Sequence, residues 1–187
     1  MALPADGLPS LASDYFEFFG LAPKLHLDVD ELQKRFYELS KQLHPDRYQR
    51  KSVAEQQYSQ DAIALLNDAY RVLRDPLQRA EYVLKQAGFE IGEQRSKDVP
   101  PELLEEVFEL NMALEEMRDG DNSARPQLEQ ARDKFHAMRD EIDARLKTLF
   151  VMYDAAPERE TLGEIRTVLN RRKYIRNLVS DVEKELQ

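Results

Sequence analysis

Leu32-Gln33-Lys34-Arg35-Phe36-Tyr37-Glu38-Leu39-Ser40-Lys41-Gln42-Leu43-His44-Pro45-Asp46 decides the fold of this chain. Leu32, Phe36, Leu39 and Leu43 recur at intervals of four, three and four, which is one face of an α-helix. Pro45 ends that helix, because its ring disfavours helical geometry at the preceding residue and it has no N–H to donate. Beyond the break Ile63, Leu66, Tyr70 and Leu73 repeat the helical period. Two such helices joined by a short loop form an antiparallel hairpin, and His44, Pro45 and Asp46 fall at its tip.

Working outward, the helix ends are marked by local chemistry. A short helix from Asp14 to Phe19 stops at Gly20, since glycine accepts left-handed geometry without cost. Asp28 with Glu31, and Ser52 with Glu55, have the spacing of an N-cap with its reciprocal acid three residues on. Pro76 suits a helix start, where its missing N–H is harmless, and that helix ends before Gly88. Residues Glu90 to Pro100 are polar and read as a linker. Three longer helical patterns follow: Pro101 to Met117, one carrying Leu128, Ala131, Phe135, Met138, Ile142 and Leu149, and one carrying Leu162, Ile165, Leu169, Val179, Val182 and Leu186. Amphipathic helices with short connections bury a shared core as a bundle. The expected fold is therefore all-α: a flexible tail over 1–13, a helical-hairpin domain over 14–89, a linker over 90–100 and a three-helix bundle over 101–187.

Charge is unevenly spread. The net charge of −9 argues against a nucleic-acid binder. From Lys34 to Lys51, however, six basic residues face only Glu38 and Asp46, while from Asp98 to Asn122 nine acidic residues face Arg118 alone. Two patches of opposite sign suit two partners or two ends of one assembly. On the first hairpin helix each residue advances about 100°, so Lys34 and Lys41 align on the face opposite the apolar arc. That alone describes either a docking face or ordinary solubilising lysines.

In the first bundle helix Leu103, Val107, Leu110, Leu114 and Met117 form a complete core stripe. Leu104, Phe108 and Met112 lie on an adjacent arc at i, i+4 and i+8, with Glu105, Glu109 and Glu116 beyond them. An apolar strip rimmed by carboxylates fits a protein-binding surface; it fits equally a helix wedged more deeply into its bundle. Tyr174 points away from the Ile165, Leu169, Val179 stripe of the last helix.

The chain has no cysteine, so disulfides and thiolate metal sites are excluded. His26, His44 and His136 are far apart and lack ligand-like spacing. No metal or cofactor is expected, and without a glycine-rich phosphate loop the chain is not expected to bind ATP. No stretch approaches the roughly 20 apolar residues of a membrane span, and no basic start leads into an apolar core, so neither membrane insertion nor a signal peptide is expected.

Asp14-Tyr15-Phe16 with Phe19-Gly20-Leu21, the His44-Pro45-Asp46 loop, and Leu66-Asn67-Asp68-Ala69-Tyr70 with Leu73 and Asp75-Pro76 resemble the J domain, the module that stimulates ATP hydrolysis by DnaK-type chaperones. Arg79-Ala80-Glu81-Tyr82, Gly88-Phe89 and the acidic helical remainder extend the resemblance to the HscB family, the J-type co-chaperones of iron–sulfur cluster assembly. The resemblance implies a co-chaperone and no enzyme. His44, Pro45, Asp46, Arg47, Lys34 and Lys41 would dock on a DnaK/HscA-type ATPase. Leu104, Phe108, Glu109, Met112, Glu116 and Tyr174 would hold an iron–sulfur scaffold of the IscU type. It implies a cytoplasmic protein, or a mitochondrial matrix protein in a eukaryote. Arg47 replaces the lysine frequent after the aspartate, and Glu105 replaces a second apolar residue beside Leu104. A J-type co-chaperone for another client is the nearer alternative. A metal-dependent helical enzyme is the more distant one, and the paired Glu-x-x-His spacing of di-metal bundles is missing.

Overall fold

The computed structural model describes residues 8–90 and 101–187. Nearly all of the expected linker, and the first seven residues of the expected tail, lie outside these. The described residues fold into helices, with no strand among them. Two compact units divide the chain, Met1–Ala87 and Gly88–Gln187.

The first unit holds α1 (Tyr15–Phe19), α2 (Val29–Leu43), a 3-10 turn (Pro45–Tyr48), α3 (Val53–Arg74) and α4 (Pro76–Gln86). Each begins where the chain supplies a side-chain cap. Asp14 accepts from the Glu17 amide, Asp28 from Asp30 and Glu31, and Asp75 from Leu77 and Gln78. Ser52 and Glu55 form the full reciprocal capping box that their spacing predicts. The Asp28–Glu31 pair departs from it: the Glu31 carboxylate turns instead to Arg35 Nε at 2.7 Å. Gly20 ends α1 at φ +63°, as glycine permits.

The hairpin of α2 and α3 closes on α1. Phe16, Phe18 and Phe19 pack with Leu32 and Leu43 of α2 and with Ala62, Leu66, Ala69 and Leu73 of α3. Phe36, Leu39, Ile63 and Tyr70, placed on the core faces by periodicity, are half-buried at the rim. The Phe36 and Tyr70 rings stack there, 4.3 Å between centroids. Arg79, only 4% exposed, ties α4 inward by donating to the carbonyls of Leu25 and Leu73. Residues 8–13, read from sequence as part of the tail, are held against this unit. Leu8 packs on the core and the Tyr58 hydroxyl donates to the Pro9 carbonyl at 2.6 Å.

The second unit is a three-helix bundle of α5 (Leu104–Arg118), α6 (Arg125–Ala155) and α7 (Arg159–Glu185), with 3-10 turns at Pro101–Leu103 and Asn122–Ala124. Its interior takes Val107, Leu110 and Leu114 from α5, Leu128, Phe135, Ile142, Leu146 and Leu149 from α6, and Leu162, Ile165, Leu169, Val179 and Val182 from α7. Ala131, Met138 and Met117, expected in these stripes, are half-buried. Charged pairs fix the helices in register: Lys134 with Glu106 at 3.1 Å, Arg118 with Glu185 at 3.1 Å, and a bidentate Arg172–Asp143 pair.

Candidate functional site: a loop tip and an apolar strip

The first candidate site is the turn between α2 and α3. His44 caps α2 with ψ 131°, far from helical, so the chain leaves the helix there. Pro45–Tyr48 then make one tight turn, closed by the Arg47 amide donating to the His44 carbonyl at 2.9 Å. The His44 ring is held locally. Its Nδ1 accepts from the Asp46 amide at 3.3 Å and lies 3.5 Å from the Asp46 carboxylate. Asp46 in turn accepts from Gln49 Nε2 at 3.2 Å. The side chains of His44 and Asp46 remain 55% and 74% exposed. An imidazole and a carboxylate are thus presented to solvent on a backbone with few degrees of freedom.

The turn is seated on α3. The Tyr48 ring is buried, the Gln56 amide donates to the carbonyls of Lys51 and Gln49, and the buried Ser59 hydroxyl donates to the Leu43 carbonyl at 2.6 Å. Ser59, Gln56 and Gln49 are absent from the set of site residues that the sequence suggests. The available signal was Ser59 itself, a serine in register with the apolar stripe Ala62, Leu66, Ala69 and Leu73.

Lys34 and Lys41 are exposed, as the helical wheel requires, and so is Arg47 in the turn. Arg35, counted in the basic stretch, serves the fold: its guanidinium meets Glu31 and donates to the carbonyls of Phe19 and Gly20. Tyr37, 56% exposed, sits on the same face one turn from both lysines. The face is therefore two ammonium groups around an aromatic ring, leading to the tip.

The second candidate site lies on α5. Leu104, Phe108 and Met112 are 55%, 65% and 49% exposed, while Leu110 and Leu114 on the other side are 2% and 5%. The helix is thus not wedged more deeply into its bundle; its second apolar stripe faces solvent. Glu105, Glu109 and Glu116 are exposed beside it. Large apolar side chains in a row on the surface, rimmed by charge, suit a surface that partners cover. Tyr174, on α7 of the same unit, is half-buried, and burial pushes its phenol pKa up.

No three His, Asp or Glu side chains among the described residues are grouped to hold a metal ion. No helix among them is long and apolar enough to cross a membrane.

Comparison with known proteins places both units. A DnaJ domain model matches residues 14–82, and a model of the HSCB C-terminal oligomerisation domain matches residues 99–183. A co-chaperone protein HscB homolog of Bordetella avium is 36% identical over 130 residues, 67% of this chain and 77% of the relative. One from Vibrio vulnificus is 41% identical over 111 residues, 59% of this chain and 64% of the relative, so that match spans just under two thirds of the relative's length. Among solved structures, chaperone HscB from Vibrio cholerae aligns with TM-score 0.63 at 29% identity, covering 92% of this chain and 96% of that one. Human co-chaperone protein HscB aligns with TM-score 0.67 at 26% identity, covering 94% and 83%. The J domain with its exposed His-Pro-Asp tip, the helical bundle that follows it in sequence and these relatives together make the chain a member of the HscB family of co-chaperones.

Proposed function

We propose that this chain stimulates the ATPase of a DnaK/HscA-type chaperone and brings to it an iron–sulfur scaffold of the IscU type, supporting cluster assembly and transfer. The observation that carries the proposal is the rigid, solvent-facing His44-Pro45-Asp46 tip at the end of a basic helix face. Lys34, Lys41 and Arg47 attract an acidic surface of the ATPase, and charge complementarity speeds encounter and fixes orientation. The tip then acts on the partner rather than on a substrate. On this reading the chain is an adaptor and no enzyme.

The scaffold is assigned to the α5 strip. Leu104, Phe108 and Met112 supply apolar area that water leaves on binding, and Glu109 and Glu116 add charge at the rim. Tyr174 belongs to this footprint by its position in the family pattern. One chain holding both partners raises the effective concentration of each near the other. Hydrolysis is then fastest when the client is already in reach. The proposed setting is the cytoplasm, or the mitochondrial matrix of a eukaryote.

The test is steady-state ATP hydrolysis by a purified DnaK-type chaperone titrated with this chain and with His44→Gln. Saturable stimulation by the wild type, lost in the variant, supports the proposal. His44 is at an exposed tip, so the substitution disturbs no core. Stimulation by His44→Gln within about twofold of wild type refutes the role of the tip.

A further inference from the structure

We propose that Ser59 is a positioning residue: its buried hydroxyl sets the aim of the His44-Pro45-Asp46 tip by holding the Leu43 carbonyl. The inference rests on the proposed ATPase stimulation and names a residue outside the tip on which it depends.

Ser59 is 0% exposed and continues the α3 core stripe of Ala62, Leu66, Ala69 and Leu73. A hydroxyl in that position is costly unless it is hydrogen-bonded. Its partner is the Leu43 carbonyl at 2.6 Å. Leu43 is the last residue of α2, where backbone carbonyls run out of intrahelical donors. The amide four residues on, Arg47, is committed to the His44 carbonyl. Pro45, inside the break, has no N–H to offer. A donor is therefore needed from elsewhere in the fold, and α3 supplies it.

The place of this bond gives it its consequence. Leu43 is the last helical residue before the tip, so a fixed Leu43 carbonyl fixes the direction in which the chain leaves α2. Three residues earlier on α3, Gln56 grips the other end of the turn by donating to Lys51 at 3.0 Å and Gln49 at 3.4 Å. The buried Tyr48 ring pins the middle. His44 and Asp46 are held from outside at neither atom that faces solvent; their orientation is inherited from these anchors. Ser59 is the anchor nearest His44. Lys34 and Lys41 lie nine and two residues upstream of Leu43 within the regular part of α2, on the face opposite it, and do not depend on its carbonyl. Docking and aim are thus separable, and loss of the hydroxyl acts on aim.

The experiment titrates a DnaK-type chaperone with the full chain as wild type, Ser59→Ala, Ser59→Cys and His44→Gln. Circular dichroism and amide spectra report the fold of each. The expected result for Ser59→Ala is a folded protein with amide shifts concentrated over 43–51. Its maximal stimulation falls by about threefold or more, as misaimed contacts do, while its half-saturating concentration stays within about twofold. Ser59→Cys keeps a weaker donor in nearly the same shape and recovers part of the loss. If Ser59→Ala does not fold, Ser59→Cys carries the test by the same criterion of lowered maximum at unchanged half-saturation. Maximal stimulation at wild-type level in folded Ser59→Ala overturns the inference. So does a raised half-saturating concentration at full maximum, which makes the role one of docking. Wild-type stimulation by His44→Gln removes the role of the tip, and the inference falls with it; no stimulation by the wild type removes the ATPase reading itself.

Discussion

Phe108→Ala and Leu114→Ala, on opposite sides of one helix, separate a binding strip from a core. Leu114 is 5% exposed and packs inside the bundle. Its truncation leaves a cavity, and buried Leu→Ala changes cost about 2–5 kcal/mol. Phe108 is 65% exposed, so about a third of it is removed from water in the free protein. Full burial of such a side chain is worth about 1.5–3 kcal/mol, which leaves about 0.5–1 kcal/mol at this position. Alanine regains part of that through its higher helix propensity, about half a kcal/mol. The net cost to stability is therefore about 0–0.5 kcal/mol. Binding reverses the order. If Phe108 anchors the scaffold, its loss costs about 1–3 kcal/mol of affinity, roughly 5- to 150-fold in Kd. Native-state hydrogen exchange of the α5 amides reads the bundle's stability without mixing in the J domain, and titration with the iron–sulfur scaffold reads affinity. If Phe108→Ala destabilises the bundle as much as Leu114→Ala, the exposed strip is structural. If it stays folded and binds the scaffold at wild-type strength, the strip is not the interface.

Three further outcomes follow from other parts of the chain. Stimulation of the ATPase should weaken as salt rises, because Lys34, Lys41 and Arg47 act through exposed charges that screen over roughly 8 Å at physiological strength; scaffold binding, carried by apolar area, should weaken less, and equal salt sensitivity of the two contradicts the assignment of the surfaces. Gly20→Ala should destabilise the J domain by about 1–2 kcal/mol in thermal unfolding, because φ is +63° there and a Cβ would also crowd Arg35 Nη1 at 3.1 Å; an unchanged melting temperature refutes it. Hydrogen bonds from Ser52 hold the Glu55 carboxyl pKa below its ordinary value of 4.5. A lowered folded-state pKa means the carboxylate's contribution is present above the ordinary value and is lost as pH falls through the lowered one; exchange of the first α3 amides should speed up over that window in the wild type and show no such step in Glu55→Gln.

What could be read in advance was local, and what was missed was not. Ser52 and Glu55, Pro76 and Gly20 act within one turn of their own position, so local chemistry alone placed these helix ends. The exposed α5 strip was legible as apolar residues left over once Val107, Leu110 and Leu114 had filled one arc; which side water reached depended on the neighbouring helices. Glu31 had the spacing of a capping box, and Arg35, one turn on, captured it. Ser59 reaches a carbonyl 16 residues away and Arg79 one 54 residues away. No window of sequence contains both ends of such bonds. Phe36 and Met117 lie at the right angles on their helices but at the margins of the packing, because periodicity gives direction and not depth. Tyr37 is the local exception: it stands off the apolar arc of α2 as an exposed ring between two lysines.

The central claim is that one chain serves both partners at once. The most direct test mixes two half-defective chains, His44→Gln and the triple variant Leu104→Ala, Phe108→Ala, Met112→Ala, with a DnaK-type chaperone and the iron–sulfur scaffold. ATP hydrolysis is compared with that given by the wild type at the same total concentration. The account predicts that wild type and scaffold together stimulate more than the sum of their separate effects, and that the mixture of variants does not restore this excess. An excess restored in full by the mixture, or no excess with the wild type, contradicts it.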